Sequence, residues 1–226
     1  MSTSTLQSSG GADEDTIDGQ PLSSDKDAKG KKIELQITDD ETLQIISDDG
    51  SKIPLLRGLS ASTWSAGTGT SAGLFLQSSN PSGESSAFDT SLGKLESCDR
   101  LLACARLTRY WMGPAFGTSA RDIPLDTQFM LLEVKEGVYA ILLPLLDGNF
   151  RASLVGNKAN EIICHQESGD ENVKMSGTRA LYIGVGDDPY ELIKESFAAV
   201  ANKTKTFSTL DEKSIPSYVD DFGWCT

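Results

Sequence analysis

RDIPLDTQFMLLEVKEGVYAILLPLLDGNFRASLVG, residues Arg121–Gly156, holds the densest apolar material in the chain and decides its fold. Thr127–Val134 and Val138–Leu146 are two apolar runs of strand length, parted by the turn residues Lys135–Gly137. Asp147-Gly148, a strong short hairpin signal, leads into Asn149–Val155. Three strands pairing in sequence make a sheet, and a sheet with apolar faces implies a domain built around it.

Working outward, the flanking segments continue the strand pattern. Ile33, Leu35 and Ile37 alternate with polar residues, Leu43-Gln44-Ile45-Ile46 follows, and Asp48-Asp49-Gly50 supplies a turn. Gly58–Ser91 is dominated by Ser, Thr and Gly apart from Trp64 and Leu74-Phe75-Leu76, and Ser78–Ser86 reads as a loop by composition. Leu101–Met112 reads as one long strand ending in Tyr110-Trp111 and stopped by Gly113-Pro114. Glu161–Glu167 and Ala180–Val185 add two more short runs.

One helix is legible. Asp188 suits an N-cap, Pro189 the first helical position, and Glu191 completes a capping-box pattern. Ile193, Phe197 and Val200 recur at i, i+4 and i+7, predicting an apolar face docked on the sheet and an end near Asn202. About nine strands with one trailing helix predict a mainly β fold, a β-sandwich.

The ends read differently. Residues 1–30 hold almost no large apolar groups and predict a disordered, acidic and Ser-rich tail. The sandwich with its helix spans 31–202, and 203–219 is polar and linker-like. Ile215-Pro216 starts something new, ahead of the final DDFGWCT at 220–226.

Charge narrows the partners. A net charge of -13 across 226 residues repels phosphate backbones and anionic membrane surfaces. No apolar run approaches the ~18 residues of a spanning helix. The first residues lack the basic and apolar regions of a secretory signal, so the expected location is the cytoplasm. Cys98, Cys104, Cys164 and Cys225 show no paired spacing, and with a single histidine they read as small buried hydrophobes rather than metal ligands.

Catalytic patterns are thin. His165, the sole histidine, lies in the strand-like IICHQE and reads as an ordinary sheet position. Gly67-Thr68-Gly69 lacks the Lys and helix of a phosphate loop. Asp122 with Asp126, and Asp220 with Asp221, are carboxylate pairs whose spacing in space the sequence does not show. Arg106, Arg109, Arg121 and Arg151 lie near Tyr110, Trp111, Phe116 and Phe150. That grouping suits either a sugar-binding platform, with rings stacking on sugar C–H groups, or structural ion pairs with Asp122, Asp126 and Asp147.

Several long segments, in order, resemble one plant family. RLTRYWMGPAFGTSARDIPLDTQFMLLE (Arg106–Glu133), LLPLLDGNFRASLVGN (Leu142–Asn157), the weaker SLGKLES (Ser91–Ser97) and DDFGWCT are similar to raffinose synthases and seed imbibition proteins of glycoside hydrolase family 36. The likeness is close over Ser91–Thr226 and loose over Ile33–Leu76. It implies the N-terminal β-sandwich (supersandwich-like) of a galactinol–sucrose galactosyltransferase, with 220–226 as the start of a (β/α)8 barrel that carries the catalytic aspartates. An alkaline α-galactosidase parent, or a standalone carbohydrate-binding module, are the alternatives.

The resemblance further implies no metal or nucleotide cofactor, and no catalytic residue in this chain, because neither the nucleophile motif nor the acid/base segment occurs in it. The substrates implied for the full-length parent are galactinol, sucrose and raffinose. Trp224, Trp111 and Arg151 are the expected substrate-binding residues, and an exposed apolar face is expected to promote self-association. Two departures bear on specificity: Tyr110-Trp111 stands where many relatives have Trp-Trp, and the loop between Leu76 and Ser91 is unusually Ser-rich.

Overall fold

The computed structural model describes residues 32–67, 69–70, 72–220 and 223. The expected tail at 1–30 lies outside the described residues, as do Asp221, Phe222 and Trp224 to Thr226. Fourteen strands and one α-helix occur among the described residues. In chain order the strands are β1 (Glu34–Ile37), β2 (Thr42–Ile46), β3 (Lys52–Arg57), β4 (Trp64–Ala66), β5 (Gly73–Ser78), β6 (Ala87–Leu95) and β7 (Arg100–Arg106). They continue as β8 (Met112–Gly117), β9 (Thr127–Lys135), β10 (Val138–Pro144), β11 (Leu146–Asp147), β12 (Phe150–Gly156), β13 (Glu161–Ser168) and β14 (Arg179–Gly186).

Every pairing is antiparallel, and the ladders form one sheet that curls over itself. One half runs β8-β7-β9-β10-β14-β5-β4, and the other runs β1-β2-β3-β6-β13-β12 with β11 on its edge. The halves join through a single bridge, Leu154 to Thr127. Alternate residues of β6, β7 and β13 are buried, so each half turns one apolar face inward. Leu43, Ile45, Leu92, Leu154 and Ile162 from one half meet Met130, Leu132, Leu142, Leu181 and Ile183 from the other in one core. This is the expected mainly β sandwich.

The opening stretch forms its strands but not its expected order. β9 and β10 pair across the turn at Gly137, whose φ of +70 suits glycine. β12 does not add beside β10. Pro144 ends β10, the Leu145 amide binds the Ala180 carbonyl at 2.9 Å, and β14 occupies that edge. The β11–β12 hairpin, closed by Gly148 at φ +58, swings into the other half of the sandwich.

Three further expectations are corrected. The long strand at 101–112 is a hairpin: β7 and β8 pair from Leu101–Gly117 to Arg106–Met112, and residues 107–111 turn between them. Pro114 sits inside β8 because β8 is an edge strand, where a missing N–H is tolerated. Strands among the described residues number fourteen rather than nine, in part because the Ser-rich region hides β4, β5 and the start of β6 and because β8 and β11 are separate strands.

The third correction concerns the helix, α1 (Pro189–Thr204), which ends near Asn202 as expected but docks by a different face. The Asp188 carboxylate caps it, accepting from the Tyr190 and Glu191 amides at 2.8 and 3.0 Å. Its buried face is Leu192, Ser196, Val200 and Ala201, not Phe197. Large groups on the sheet beneath, Phe75, Ile141, Leu143 and Tyr182, set this rotation. The helix comes closest where both partners are small: a Cβ on Gly184 would lie 2.9 Å from the Ser196 hydroxyl. Phe197 is left 40% exposed and packs edge-on to Phe207, with ring centroids 6.4 Å apart. Beyond α1 the chain carries two short 3-10 turns, Leu210–Glu212 and Ser217–Asp220, and exposes Leu210, Ile215 and Tyr218.

Candidate functional site

Arg151 and Arg106, two of the residues singled out in the sequence, converge on Asp126, where the two halves of the sheet meet. Asp126 adopts a left-handed φ of +59 immediately before β9, and its carbonyl accepts the Arg106 amide at 3.0 Å. Its carboxylate takes Arg151 Nη1 at 2.7 Å, Arg106 Nε at 3.0 Å and Gln128 Nε2 at 2.7 Å. Arg151 also binds Glu167, with its Nε 2.9 Å from Oε1. Glu167 Oε2 lies 3.5 Å from His165 Nε2, and His165 Nδ1 is 2.6 Å from Asp89.

The result is a continuous line of ion pairs and hydrogen bonds that crosses β6, β13, β12, β9 and β7. Its members are 21–37% exposed between Arg106, Asp126, Arg151 and Glu167. It stitches the halves together where their ladder contributes one bridge.

Electrostatics agree with a structural clasp. Burial alone would raise the Asp126 carboxyl, but Arg151, Gln128 and Arg106 outweigh it and hold it below the usual carboxylate range. Glu167 is likewise lowered: burial opposes, while Arg151 and then His165 prevail. Burial works against the Arg151 guanidinium too, yet Asp126 and Glu167 raise it. Carboxyls depressed in the fold stabilise it above their unfolded values of about 4, and that stability is lost as pH falls through the lower folded values. Asp126→Asn is therefore expected to lower stability at neutral pH and to flatten its fall below about pH 4. Thermal unfolding across the acid range reads this; an unchanged acid slope would place the loss elsewhere.

The other candidates divide. Trp111 stands 71% exposed and Tyr110 80% exposed in the β7–β8 turn, with the Arg109 guanidinium 5.7 Å from the Tyr110 ring centre. Phe116 projects from β8 at 74% exposure, whereas Phe150 is buried against Phe88. Arg121 stands exposed in a 3-10 turn (Ala120–Asp122). Asp122 accepts from the Thr118 and Ser119 amides at 3.0 and 3.1 Å, which lowers its carboxyl. Asp122 and Asp126 are thus each held by structural partners, and Asp221 and Trp224 lie outside the described residues.

Asp147 binds the Arg179 amide at 2.8 Å rather than any of the four arginines read from sequence. The Gly67 amide donates to Phe75 and steadies the β4–β5 hairpin. Burial pushes the Cys98 thiol up to about 11 and raises Cys164 as well, so neither is a thiolate at neutral pH. Cys104 is half-buried on β7, and Cys225 lies outside the described residues. Among the described residues no cluster of three or more His, Cys, Asp or Glu is arranged to hold a metal ion, and no helix is long and apolar enough to cross a membrane.

Two features escaped the sequence reading. Glu167 and Gln128 belong to the clasp, but the chain separates Arg151 from Asp126 by 25 residues and from Glu167 by 16. A groove of about 540 Å³ runs between α1 and residues 207–213, lined by Tyr190, Ile193, Phe197, Phe207 and Leu210. Its signal in the sequence was Phe207 and Leu210, two apolar residues in a stretch read as polar linker.

Comparison with known proteins places this geometry. The family described as "Raffinose synthase or seed imbibition protein Sip1" matches residues 32–226. The chain is 37% identical over 147 residues to the probable galactinol–sucrose galactosyltransferase 1 of Arabidopsis thaliana, covering 60% of this chain and 19% of that protein. The galactinol–sucrose galactosyltransferase of Oryza sativa subsp. japonica is 37% identical over 147 residues, covering 60% and 18%. The stachyose synthase of Pisum sativum is 33% identical over 138 residues, covering 60% and 16%. The chain thus spans less than a fifth of the length of these relatives. With a family match over nearly all of its described sandwich, the chain belongs to the raffinose synthase and seed imbibition protein family.

Proposed function

We propose that this chain is the N-terminal β-sandwich portion of a plant, cytoplasmic glycoside hydrolase family 36 enzyme that moves an α-galactosyl unit from galactinol to sucrose. The observation that carries the reading is the match over residues 32–226 combined with coverage of under a fifth of the galactosyltransferase relatives. On this reading 31–202 is the sandwich with its helix, 203–219 a linker, and 220–226 the start of a catalytic barrel. The chain itself turns over no substrate and uses no cofactor. Its best-placed acids, Asp122 and Asp126, are committed to amides and arginines.

The partners are neutral saccharides, contacted by Trp111, Arg151 and Trp224. Arg151 keeps a third of its side chain exposed while its two carboxylate partners fix its orientation. Nucleic acid and anionic membranes are disfavoured by the charge of -13. The exposed aromatics also support self-association of the chain alone. Hydrolysis of α-galactosides by the longer parent differs only in taking water as acceptor. A standalone carbohydrate-binding module is the second reading, favoured by the exposure of Tyr110 and Trp111.

A chimera tests the first reading. Residues 32–226 replace the matching segment of the Arabidopsis thaliana relative, and raffinose formation from galactinol and sucrose is measured. Activity within roughly tenfold of the parent, about 1.4 kcal/mol of transition-state stabilisation, is expected. In the same chimera Trp111→Ala is expected to raise KM for the saccharides more than it lowers kcat. A folded chimera with no raffinose formation would overturn the assignment.

A further inference from the structure

We propose that the cavity where Arg151 meets helix α1 binds one ring of a neutral saccharide, a proposal that rests on the saccharide reading above and gives it a site. The cavity, of about 200 Å³, lies between residues 143–146 and the C-terminal half of α1. Leu143, Leu145 and Val200 are buried and form an apolar floor, while Leu146, Phe197 and Phe207 keep exposed apolar surface around it. Gln128 also lines it and ties it to the clasp: Gln128 Nε2 and Arg151 Nη1 each bond the same atom, Asp126 Oδ1, at 2.7 Å. Arg151 stands directly opposite Leu146 in the β11–β12 hairpin, so the two side chains share a face. Arg151 and the cavity are therefore neighbours.

Unspent hydrogen-bonding groups border this apolar surface. Arg151 gives three of its five N–H groups to Asp126 and Glu167, which leaves two without a partner among the described residues. Gln128 spends one N–H on Asp126 and retains its second N–H and its carbonyl. Thr204 donates its proton to the Val200 carbonyl at 2.9 Å. In its 2.9 Å contact with Thr206 it therefore accepts, and the Thr206 oxygen is left to accept as well. Donors and acceptors beside apolar walls suit a ligand with hydroxyls at its edge and C–H groups on its faces. Local charges cancel, Arg106 and Arg151 against Asp126 and Glu167, and the chain's charge of -13 repels anions. A neutral polyol thus fits better than a phosphorylated one. The volume is below the roughly 300–1,000 Å³ of drug-sized sites, which limits the occupant to one sugar ring.

Calorimetric titration of the purified chain tests this. Raffinose and galactinol are expected to bind saturably with a millimolar Kd, and galactose 1-phosphate at least tenfold more weakly. Leu146→Ala with Phe207→Ala is expected to weaken raffinose binding at least tenfold while circular dichroism and the melting temperature are unchanged, because both side chains stand at the surface. Arg151 is spared as a member of the clasp. Trp111→Ala, on the β7–β8 turn, is expected to leave this binding intact. No saturation by high millimolar raffinose overturns the proposal, as does tighter binding of the phosphorylated sugar. Binding lost with Trp111→Ala and kept in the Leu146 and Phe207 pair moves the saccharide to the hairpin and overturns it too. The chimera is read separately: raffinose formation without binding at this cavity sinks the cavity alone, and binding without raffinose formation sinks the enzyme assignment alone.

Discussion

Gly156→Val is expected to leave no stably folded chain, the largest single-residue effect in the sandwich. A Cβ at Gly156 would lie 1.4 Å from the Ala120 carbonyl oxygen and 2.5 Å from its carbon. The obstacle is backbone, which cannot rotate aside as a side chain would. That backbone is pinned: the Ala120 amide binds Asn160 Oδ1 at 2.8 Å, and Asn160 Nδ2 holds the Leu95 carbonyl at 2.7 Å. The Gly156 amide itself binds the Ile123 carbonyl at 3.1 Å, and Ala120 and Ile123 are both buried. Opening this corner to admit a side chain breaks those bonds together, at a cost of several kcal/mol, on the order of 4 or more. Soluble yield and thermal unfolding read the outcome, and a Gly156→Val chain that melts with the wild type would refute the packing described here.

Leu154→Ala is expected to cost ~2–5 kcal/mol, the range for truncating a fully buried leucine that leaves a cavity. Leu154 is completely buried and occupies the one rung, to Thr127, that joins the two halves of the sandwich. It also pairs with Cys164 on β13 and belongs to the single core fed by both halves. For a domain of this size each kcal/mol moves the melting temperature by about 2–4 °C, so a fall of roughly 4–20 °C is expected. The exposed Leu146, a few residues earlier, supplies the contrast: Leu146→Ala should stay within about 0.5 kcal/mol. Equal losses at the two positions would contradict the placement of the core.

Both effects show why the fold was legible in the sequence and the site less so. The strands at 127–156 are readable because they are continuous apolar runs of strand length, and because glycines at 137 and 148 mark turns by a conformation other residues avoid. Pairing order is not written that way. β12 leaves β10 because β14, forty residues on, claims the same edge. Composition misled in the Ser-rich region. Ser78 reads as loop, yet it is fully buried, its hydroxyl bonded to Gln166 beside Thr178 and Thr90 in a satisfied polar network between strands.

At the site, the arginines were identified but their partners depended on the fold. Arg106 and Arg151 converge on Asp126, while Asp147 serves a backbone amide of β14. The family was legible because long motifs survive in order. The two longest of those motifs sit on the clasp, the β7–β8 hairpin and the β9–β12 region.

We propose that this chain is the supporting sandwich of a galactosyl-transferring enzyme and does no chemistry by itself. Incubating the purified chain with galactinol and sucrose, and following raffinose by chromatography, tests it most directly. Raffinose is expected at the level of the protein-free control. Raffinose accumulating in proportion to added chain, at a rate typical of an enzyme, would contradict it.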